Sequence, residues 1–121
     1  MIDCCKFYSS INFATHMKLV TPSAAQTIIQ SQNPIQLIDV RETYEFQYGN
    51  NGFLNIPMAE IAEKAATLDN KLPIILICKS GKRAEAVAIF LEKCFGFTDV
   101  SVIEGGIIAW KELIDPTIQL D

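Results

Sequence analysis

Hydrophobic residues occur along this chain in short runs, separated by segments in which they recur at helical spacing. Three runs are mainly apolar and β-branched, namely PIQLIDV at 34–40, IILIC at 74–78 and DVSVI at 99–103. Each is bounded by proline, asparagine, glycine or charged residues, which is typical of strands buried on both faces. The pattern therefore predicts three buried strands.

The segments around these runs predict helices. Thr21 and Pro22 before SAAQTIIQSQ indicate a helix start, with threonine as N-cap and proline at the first helical position. TYEFQYG predicts a brief helical turn and NNGF a tight loop, because asparagine and glycine accept positive φ most easily. A longer helix, ending near Asn70 and Pro73, is predicted from apolar residues at helical spacing. These residues are Met58, Ile61, Ala65 and Leu68.

A helix over 82–95 is predicted from a single apolar face. That face consists of Ala84, Val87, Ala88, Leu91 and Phe95. Gly96 is expected to end this helix, and IIAWKELI after the third strand predicts a closing helix. Strands that alternate with helices favour a parallel sheet covered on both faces, so the fold class is α/β.

Length and composition set the domain organisation. The chain has 121 residues, of which 50% are hydrophobic, enough for one compact domain with its own core. We expect a single domain over 17–121, preceded by a loosely ordered extension over 1–16. No signal peptide or membrane-spanning run is predicted, which favours a soluble, cytoplasmic protein without membrane partners.

Charge narrows the range of partners. The formal net charge of −4 argues against a broad nucleic-acid interface, because phosphate binding needs clustered surface cations. The concentrated positive segment consists of Lys79, Lys82 and Arg83, directly after the IILIC run. Any anion that binds is therefore expected to be small and to bind there.

The four cysteines have no paired spacing. Cys4, Cys5, Cys78 and Cys94 include no C-x-x-C pair, and His16 is the single histidine, so neither a zinc site nor a disulfide framework is predicted. Cys94 lies beside a phenylalanine on a predicted helix, which indicates packing. Cys4 and Cys5 are expected to be exposed and incidental.

Cys78 differs from the other cysteines in its position. It ends a predicted strand and precedes a predicted helix, at the edge where open parallel sheets bind ligands. A helix N-terminus offers unpaired backbone N–H groups and a partial positive charge, which attract anions and favour a thiolate. Gly81 allows the loop to bend so that its N–H groups point inward. We expect a cradle for a small anion against a reactive sulfur, whereas inert packing of Cys78 is the alternative.

Ordered motifs extend this interpretation to a family. The segments LIDVRETYEF, NIP, ILICKSGKRA, GF and VIEGGIIAW resemble, in order and spacing, the single-domain rhodanese (sulfurtransferase) family over about residues 17 to 115. The family's D-V-R strand end matches residues 39–41, its C-x-x-G-x-R loop matches 78–83 and its G-G-x-x-x-W ending matches 105–110. The resemblance implies a central five-stranded parallel sheet flanked by helices on both faces, with Cys78 after the central strand.

The resemblance also implies a reaction. The Cys78 thiolate would attack the outer sulfur of thiosulfate or a similar small anionic donor, form a persulfide, and pass the sulfur to cyanide or a thiol. No metal or organic cofactor is implied. The anion-binding loop would consist of Lys79, Ser80, Gly81, Lys82 and Arg83.

Four further residues are expected to support the site rather than react. Asp39 and Arg41 are interpreted as a matched pair of charges at a strand end, because buried strand ends commonly need such matching. Gly105 and Gly106 are expected to form a supporting turn before the last helix.

Two other functions remain open. The domain could be a persulfide carrier or interaction module that receives sulfur from a protein donor within a sulfur relay. Related phosphatases and arsenate reductases use a C-x5-R loop, one residue longer than the loop between Cys78 and Arg83, so this alternative is disfavoured.

The chain departs from the family pattern in two places. GNNGFLNIP is one residue shorter than the usual segment and has Asn50 where histidine is common, so we expect altered turn geometry there. Ala84 replaces a frequent serine or threonine after the loop arginine. One possible hydroxyl hydrogen bond is then missing, which is expected to slow the reaction without removing the nucleophile.

Overall fold

The structure is a computed structural model, and it describes residues 16–121. The predicted extension over 1–16 lies outside the described residues except for His16, which is exposed and whose backbone N–H donates to Glu92 Oε1 at 3.3 Å. None of the helices within the described range has the length and apolar character needed to cross a membrane.

The described chain forms one sheet of five parallel strands. They are β1 (Lys18–Val20), β2 (Gln36–Asp39), β3 (Leu54–Asn55), β4 (Ile74–Ile77) and β5 (Val100–Ile103). Their order in the sheet is β1-β5-β4-β2-β3, and every neighbouring pair is parallel. The expected α/β fold with five strands is confirmed.

The two strands that the hydrophobic pattern did not predict, β1 and β3, lie at the edges of the sheet. They have three and two residues, and none of these residues is fully buried. An edge strand has one neighbour and carries less apolar sequence than a central strand, so it leaves a weak pattern. The hydrophobic pattern therefore predicts β2, β4 and β5 but not the two edge strands.

Strand β4 lies at the centre, and its alternate side chains enter two cores. Ile74, Leu76 and the following Cys78 belong to the core on one face of the sheet. Ile75 and Ile77 belong to the core on the other face. All four strand residues are buried, and each isoleucine or leucine of this kind contributes roughly 1.5–3 kcal/mol of transfer free energy. The strand that ends at Cys78 is thus firmly held.

Helices cover both faces as predicted. They are α1 (Pro22–Gln30), α2 (Thr43–Tyr48), α3 (Ile61–Lys64), α4 (Lys82–Phe95) and α5 (Gly106–Leu113). The Thr21 hydroxyl accepts a hydrogen bond from Ala24 N at 3.1 Å, so the predicted N-cap of α1 is confirmed. Gly96 follows α4 with φ 71°, which confirms it as the stop of that helix.

The helix predicted from Met58 to Leu68 is wrong as a continuous element. It is divided into a 3-10 turn (Met58–Glu60), the single turn α3 and a second 3-10 turn (Ala65–Thr67). Met58 N donates to Val40 O at 2.9 Å, so the end of β2 fixes where this segment begins. At its end, Leu68 N donates to Ala65 O at 3.1 Å, an i to i−3 bond that tightens the backbone. The segment follows the surface of the sheet and does not extend as a regular helix.

Candidate active site

Cys78 lies between the end of β4 and the start of α4, and its sulfur is surrounded by backbone donors. Sγ accepts hydrogen bonds from Gly81 N at 3.1 Å and from Ala84 N at 3.4 Å. The residue is 1% exposed. Backbone N–H groups at the first turn of a 14-residue helix carry partial positive charge, so they stabilise negative charge on this sulfur.

The loop from Cys78 to α4 depends on the backbone freedom of Gly81. This residue has φ 110°, and its carbonyl accepts the hydrogen bond from Glu85 N at 2.9 Å that begins α4. A side chain would be strained at this φ, which explains why glycine separates the thiol from the helix. The loop therefore turns tightly enough for the Gly81 N–H to point back at Sγ.

The lysines and serine of the loop face outward. Ser80 and Lys82 are exposed, whereas Lys79 is partly buried. Lys79 Nζ lies 3.7 Å from Asp121 Oδ1, with both side chains more than 40% exposed. An ion pair so exposed to solvent is weak, so both lysines can contribute charge to an anion that approaches the loop.

A second helix N-terminus holds the loop from the other side. Ile107 N donates to Cys78 O at 2.8 Å, and Ile108 N donates to Lys79 O at 3.3 Å. Gly106 has φ 61°, and a Cβ on it would overlap the carbonyl oxygens of Cys78 and Lys79. Gly105, with φ 78°, is the N-cap of α5. The two glycines let the first turn of α5 approach the Cys78 backbone.

Asp39 and Arg41 form a buried ion pair at the end of β2. Arg41 Nη2 lies 2.8 Å from Asp39 Oδ2, and Arg41 Nε donates to both carboxylate oxygens at 3.1 Å. Arg41 Nη2 also donates to Gly49 O at 2.8 Å, and Asn55 Nδ2 donates to the carbonyl oxygens of Asp39 and Arg41. The guanidinium therefore ties the end of β2 to the residue that follows α2.

Arg83 contacts a residue that the sequence analysis did not identify. Its Nη1 and Nη2 donate to Oε1 and Oε2 of Glu45 at 2.7 and 3.0 Å. Glu45 is 6% exposed on α2. The hydrogen bond from Arg83 holds the pKa of Glu45 below its ordinary value, and the same bond raises the pKa of Arg83. Arg83, which was one of the predicted anion ligands, is thus already bound to a carboxylate of the protein.

The sequence contains a partial signal for Glu45. Glu42 and Glu45 form a capping box at the start of α2, in which Glu42 N donates to Glu45 Oε1 at 2.9 Å. A glutamate three residues after an N-cap places Glu45 in the first turn of a helix. It does not indicate a partner 38 residues away.

Asn50 and Ala84, where the chain departs from the family pattern, both have defined contacts in the structure. Asn50 Nδ2 donates to Phe46 O at 3.0 Å and Asn50 Oδ1 accepts from Gly52 N at 2.8 Å, so this side chain holds its own turn. Ala84 is fully buried and contributes a backbone N–H to Sγ, while its methyl group packs in the core. The backbone contact to the sulfur is independent of the side chain at position 84.

The other three cysteines are not part of the described site. Cys94 is partly buried in the last turn of α4. Cys4 and Cys5 lie outside the described residues. Within residues 16–121, no three histidine, cysteine, aspartate or glutamate side chains lie close enough to hold a metal ion. The described site consists of a thiol, backbone donors, one partly buried and one exposed lysine, and an arginine bound to a glutamate.

Fold and site together define an α/β domain that places one cysteine at a helix N-terminus, at the carboxyl edge of a parallel sheet. Residues 21–113 match the model of the Rhodanese-like domain family, so the chain belongs to that family.

Named relatives and a solved structure support this assignment. The chain is 36% identical over 96 residues to YtwF of Bacillus subtilis, which is named as a sulfurtransferase, covering 78% of this chain and 91% of YtwF. It is 27% identical over 96 residues to the thiosulfate sulfurtransferase GlpE of Pseudomonas aeruginosa, covering 78% and 84%. A rhodanese-related protein from Thermoplasma volcanium superposes with a TM-score of 0.72 at 28% identity, covering 86% of this chain and 99% of that protein.

Proposed function

We propose that this chain is a sulfurtransferase in which Cys78 carries the sulfur as a persulfide. The observation that carries the proposal is the pair of hydrogen bonds from Gly81 N and Ala84 N to Cys78 Sγ. Similarity to relatives named as sulfurtransferases supports sulfur transfer as the reaction class. The name of GlpE favours thiosulfate as a donor to test first.

The first half-reaction loads the enzyme. The Cys78 thiolate attacks the outer sulfur of thiosulfate, a new S–S bond forms, and the S–S bond of thiosulfate breaks. Sulfite leaves with the electron pair of the broken bond, so the negative charge of the thiolate is kept on the terminal sulfur of the persulfide. The reaction needs no external oxidant or reductant.

The second half-reaction unloads it. Cyanide or a thiolate attacks the terminal sulfur of the persulfide, and the electron pair of the breaking S–S bond returns to Cys78 Sγ. The products are thiocyanate or a new persulfide, together with the original thiolate. Because Sγ carries negative charge before loading and after unloading, the same two N–H groups serve both half-reactions.

The loop favours small anionic donors. Its N–H groups provide hydrogen bonds, and the partly buried Lys79 and the exposed Lys82 provide positive charge. The four residues between Cys78 and Arg83 enclose a smaller space than the five of a C-x5-R phosphatase loop. We therefore propose a small sulfur anion as donor and disfavour phosphoryl transfer.

Intact-protein mass spectrometry without reductant tests this function directly. Incubation of the wild-type protein with thiosulfate should add about 32 Da, the mass of one sulfur atom, because nucleophilic attack leaves the sulfur covalently bound. Cys78→Ser should gain nothing, and Cys94→Ser should gain the same mass as the wild type.

A second sulfur donor distinguishes a sulfurtransferase that uses thiosulfate from a carrier that receives sulfur from a protein. If thiosulfate adds no sulfur but a cysteine desulfurase with cysteine does, the domain is a carrier that receives sulfur from a protein donor. If neither donor loads Cys78, sulfur transfer through this residue is refuted.

A further inference from the structure

We propose that Glu45 is a positioning residue that holds Arg83 and cancels its charge at the sulfur-donor site. The attraction of this site for anions then comes from backbone N–H groups and from Lys79 and Lys82. This inference rests on the proposed function of the Cys78 loop and adds a residue that determines which anions the loop favours.

Both carboxylate oxygens of Glu45 and both η nitrogens of Arg83 take part in the contact between these side chains. Each η nitrogen of Arg83 donates to a different oxygen of Glu45, at 2.7 and 3.0 Å. A fork-to-fork pair of this kind fixes the plane and the position of the guanidinium. Arg83 is therefore held against α2, although one third of its side chain remains exposed.

Glu45 is itself fixed by the scaffold. Its Oε1 accepts a hydrogen bond from Glu42 N, and its carbonyl accepts one from Arg41 Nη1 at 3.4 Å. Arg41 in turn is bound to the buried carboxylate of Asp39. A series of contacts thus runs from the end of β2 through α2 to the first turn of α4, so the position of Arg83 follows that of Glu45.

The pair changes the electrostatics of the loop. The sequence places three cations after Cys78, but Arg83 and Glu45 together form an ion pair without net charge. The field of such a pair falls off faster with distance than that of a single charge. The positive charge that remains comes from Lys82, which is exposed, and from Lys79, which is partly buried and lies 3.7 Å from Asp121 Oδ1. Glu45 therefore reduces the attraction of the loop for strongly charged anions.

Alkylation of Cys78 by two reagents measures this charge without any sulfur transfer. Iodoacetate is an anion and iodoacetamide is neutral, so the ratio of their rates reports the local charge at the thiol. Peptide-resolved mass spectrometry follows Cys78 separately from the other cysteines. We expect Glu45→Gln to raise the ratio about threefold, because one negative charge is removed near the sulfur.

Three further variants separate charge cancellation from a merely structural role. Arg83→Gln should lower the ratio about threefold, since the carboxylate is then uncompensated. The double variant Glu45→Gln/Arg83→Gln should return to the wild-type ratio, because a neutral pair is replaced by a neutral pair. Glu45→Asp should keep the wild-type ratio because it keeps the charge.

The matched control is Glu63→Gln, which removes the same charge at an exposed position on α3, a different helix from those of Glu45 and Arg83. Its ratio should equal that of the wild type. An unchanged ratio in Glu45→Gln, or a double variant whose ratio stays as low as that of Arg83→Gln, would overturn the inference. If Glu45→Gln is too unstable to assay, the double variant and Arg83→Gln decide the question by the same ratios.

The alkylation ratios do not depend on sulfur transfer, so failure of this inference can be distinguished from failure of the proposed function. If the ratios behave as expected but thiosulfate and desulfurase both leave Cys78 unloaded, the charge cancellation stands and sulfur transfer is refuted. If Cys78 is loaded but the ratios do not depend on Glu45, sulfur transfer stands and the role of Glu45 is refuted.

Discussion

The two ends of α4 each carry a cysteine, and their surroundings differ in a way that explains why only one is a candidate nucleophile. Cys78 precedes the helix, and two backbone N–H groups donate to its sulfur. Cys94 lies in the last turn, near the end at which helical carbonyl groups carry partial negative charge. The same side chain thus meets opposite backbone polarity at the two ends.

The two ends of α4 also differ in the packing of the glycine beside them, which is Gly106 of α5 at the N-terminal end and Gly96 at the C-terminal end. Gly106, which supports the Cys78 loop, has no space for a Cβ because the carbonyl oxygens of Cys78 and Lys79 lie against it. At Gly96, beyond Cys94, the nearest atom to an added Cβ is Asn70 Nδ2, at 3.5 Å. The N-terminal end is held by a second helix, whereas the C-terminal end is a simple stop.

The largest difference between the two ends is expected in turnover. Cys78→Ser should lower the rate of thiocyanate formation from thiosulfate and cyanide by about 1000-fold or more, because a serine hydroxyl does not form a persulfide. Cys94→Ser should stay within about twofold of the wild type. The colorimetric thiocyanate assay measures both, and turnover retained by Cys78→Ser would contradict the assignment of the nucleophile.

The next largest effect is expected from alanine at the two glycines. Gly106→Ala should lower the free energy of unfolding by about 3 kcal/mol, since it combines a positive φ with overlap on the Cys78 loop. Gly96→Ala should cost about 1 kcal/mol, because it meets the positive φ alone. Urea denaturation measures both values. Equal losses in the two variants would show that α5 does not hold the loop tightly.

Charge at the two ends should affect thiosulfate binding to different extents. Arg83→Ala should raise the KM for thiosulfate about tenfold, because it leaves the negative charge of Glu45 uncompensated beside the loop. Lys93→Ala, near Cys94, should leave KM unchanged. Initial rates over a range of thiosulfate concentrations measure this. An unchanged KM in Arg83→Ala would mean that an uncompensated Glu45 carboxylate does not repel thiosulfate.

The smallest effect is expected in the acid stability of the Cys78 end. The pKa of Glu45 is lowered in the folded state, chiefly by the hydrogen bond from Arg83, so its contribution to stability is present above the unfolded pKa of about 4.3. That contribution is lost as the pH falls through the folded value. Between about pH 6 and 3, the Tm of the wild type should fall about 3 °C further than that of Glu45→Gln.

Scanning calorimetry at several pH values measures this difference, with Glu63→Gln as the control that should follow the wild type. Parallel curves for the wild type and Glu45→Gln would mean that the Glu45–Arg83 contact contributes nothing to acid stability.

The central strands of the sheet leave a clearer pattern in the sequence than its two edge strands do. Strands β2, β4 and β5 contain the apolar runs that burial on both faces requires. Helix α1 is predicted from its start at Thr21 and Pro22, and α4 from the helical spacing of its apolar face. β1 and β3 are too short and too exposed to leave such a pattern. The segment from Met58 to Leu68 has helical spacing, but its contact with the end of β2 divides it into shorter turns.

Some features of the candidate site likewise follow from the sequence, whereas others depend on the tertiary structure. The sequence by itself determined that Cys78 follows an apolar strand, that Gly81 allows a tight turn and that a helix begins at Lys82, because each feature depends on residues close together in the chain. Only the tertiary structure decided that Glu45 binds Arg83 and that the first turn of α5 binds the Cys78 and Lys79 carbonyl groups. These contacts join residues 29 to 38 positions apart, and they exist because the strand order β5-β4-β2 brings the carboxyl ends of three parallel strands close together. Local propensity places each element along the chain, whereas the order of strands in the sheet determines which ends meet.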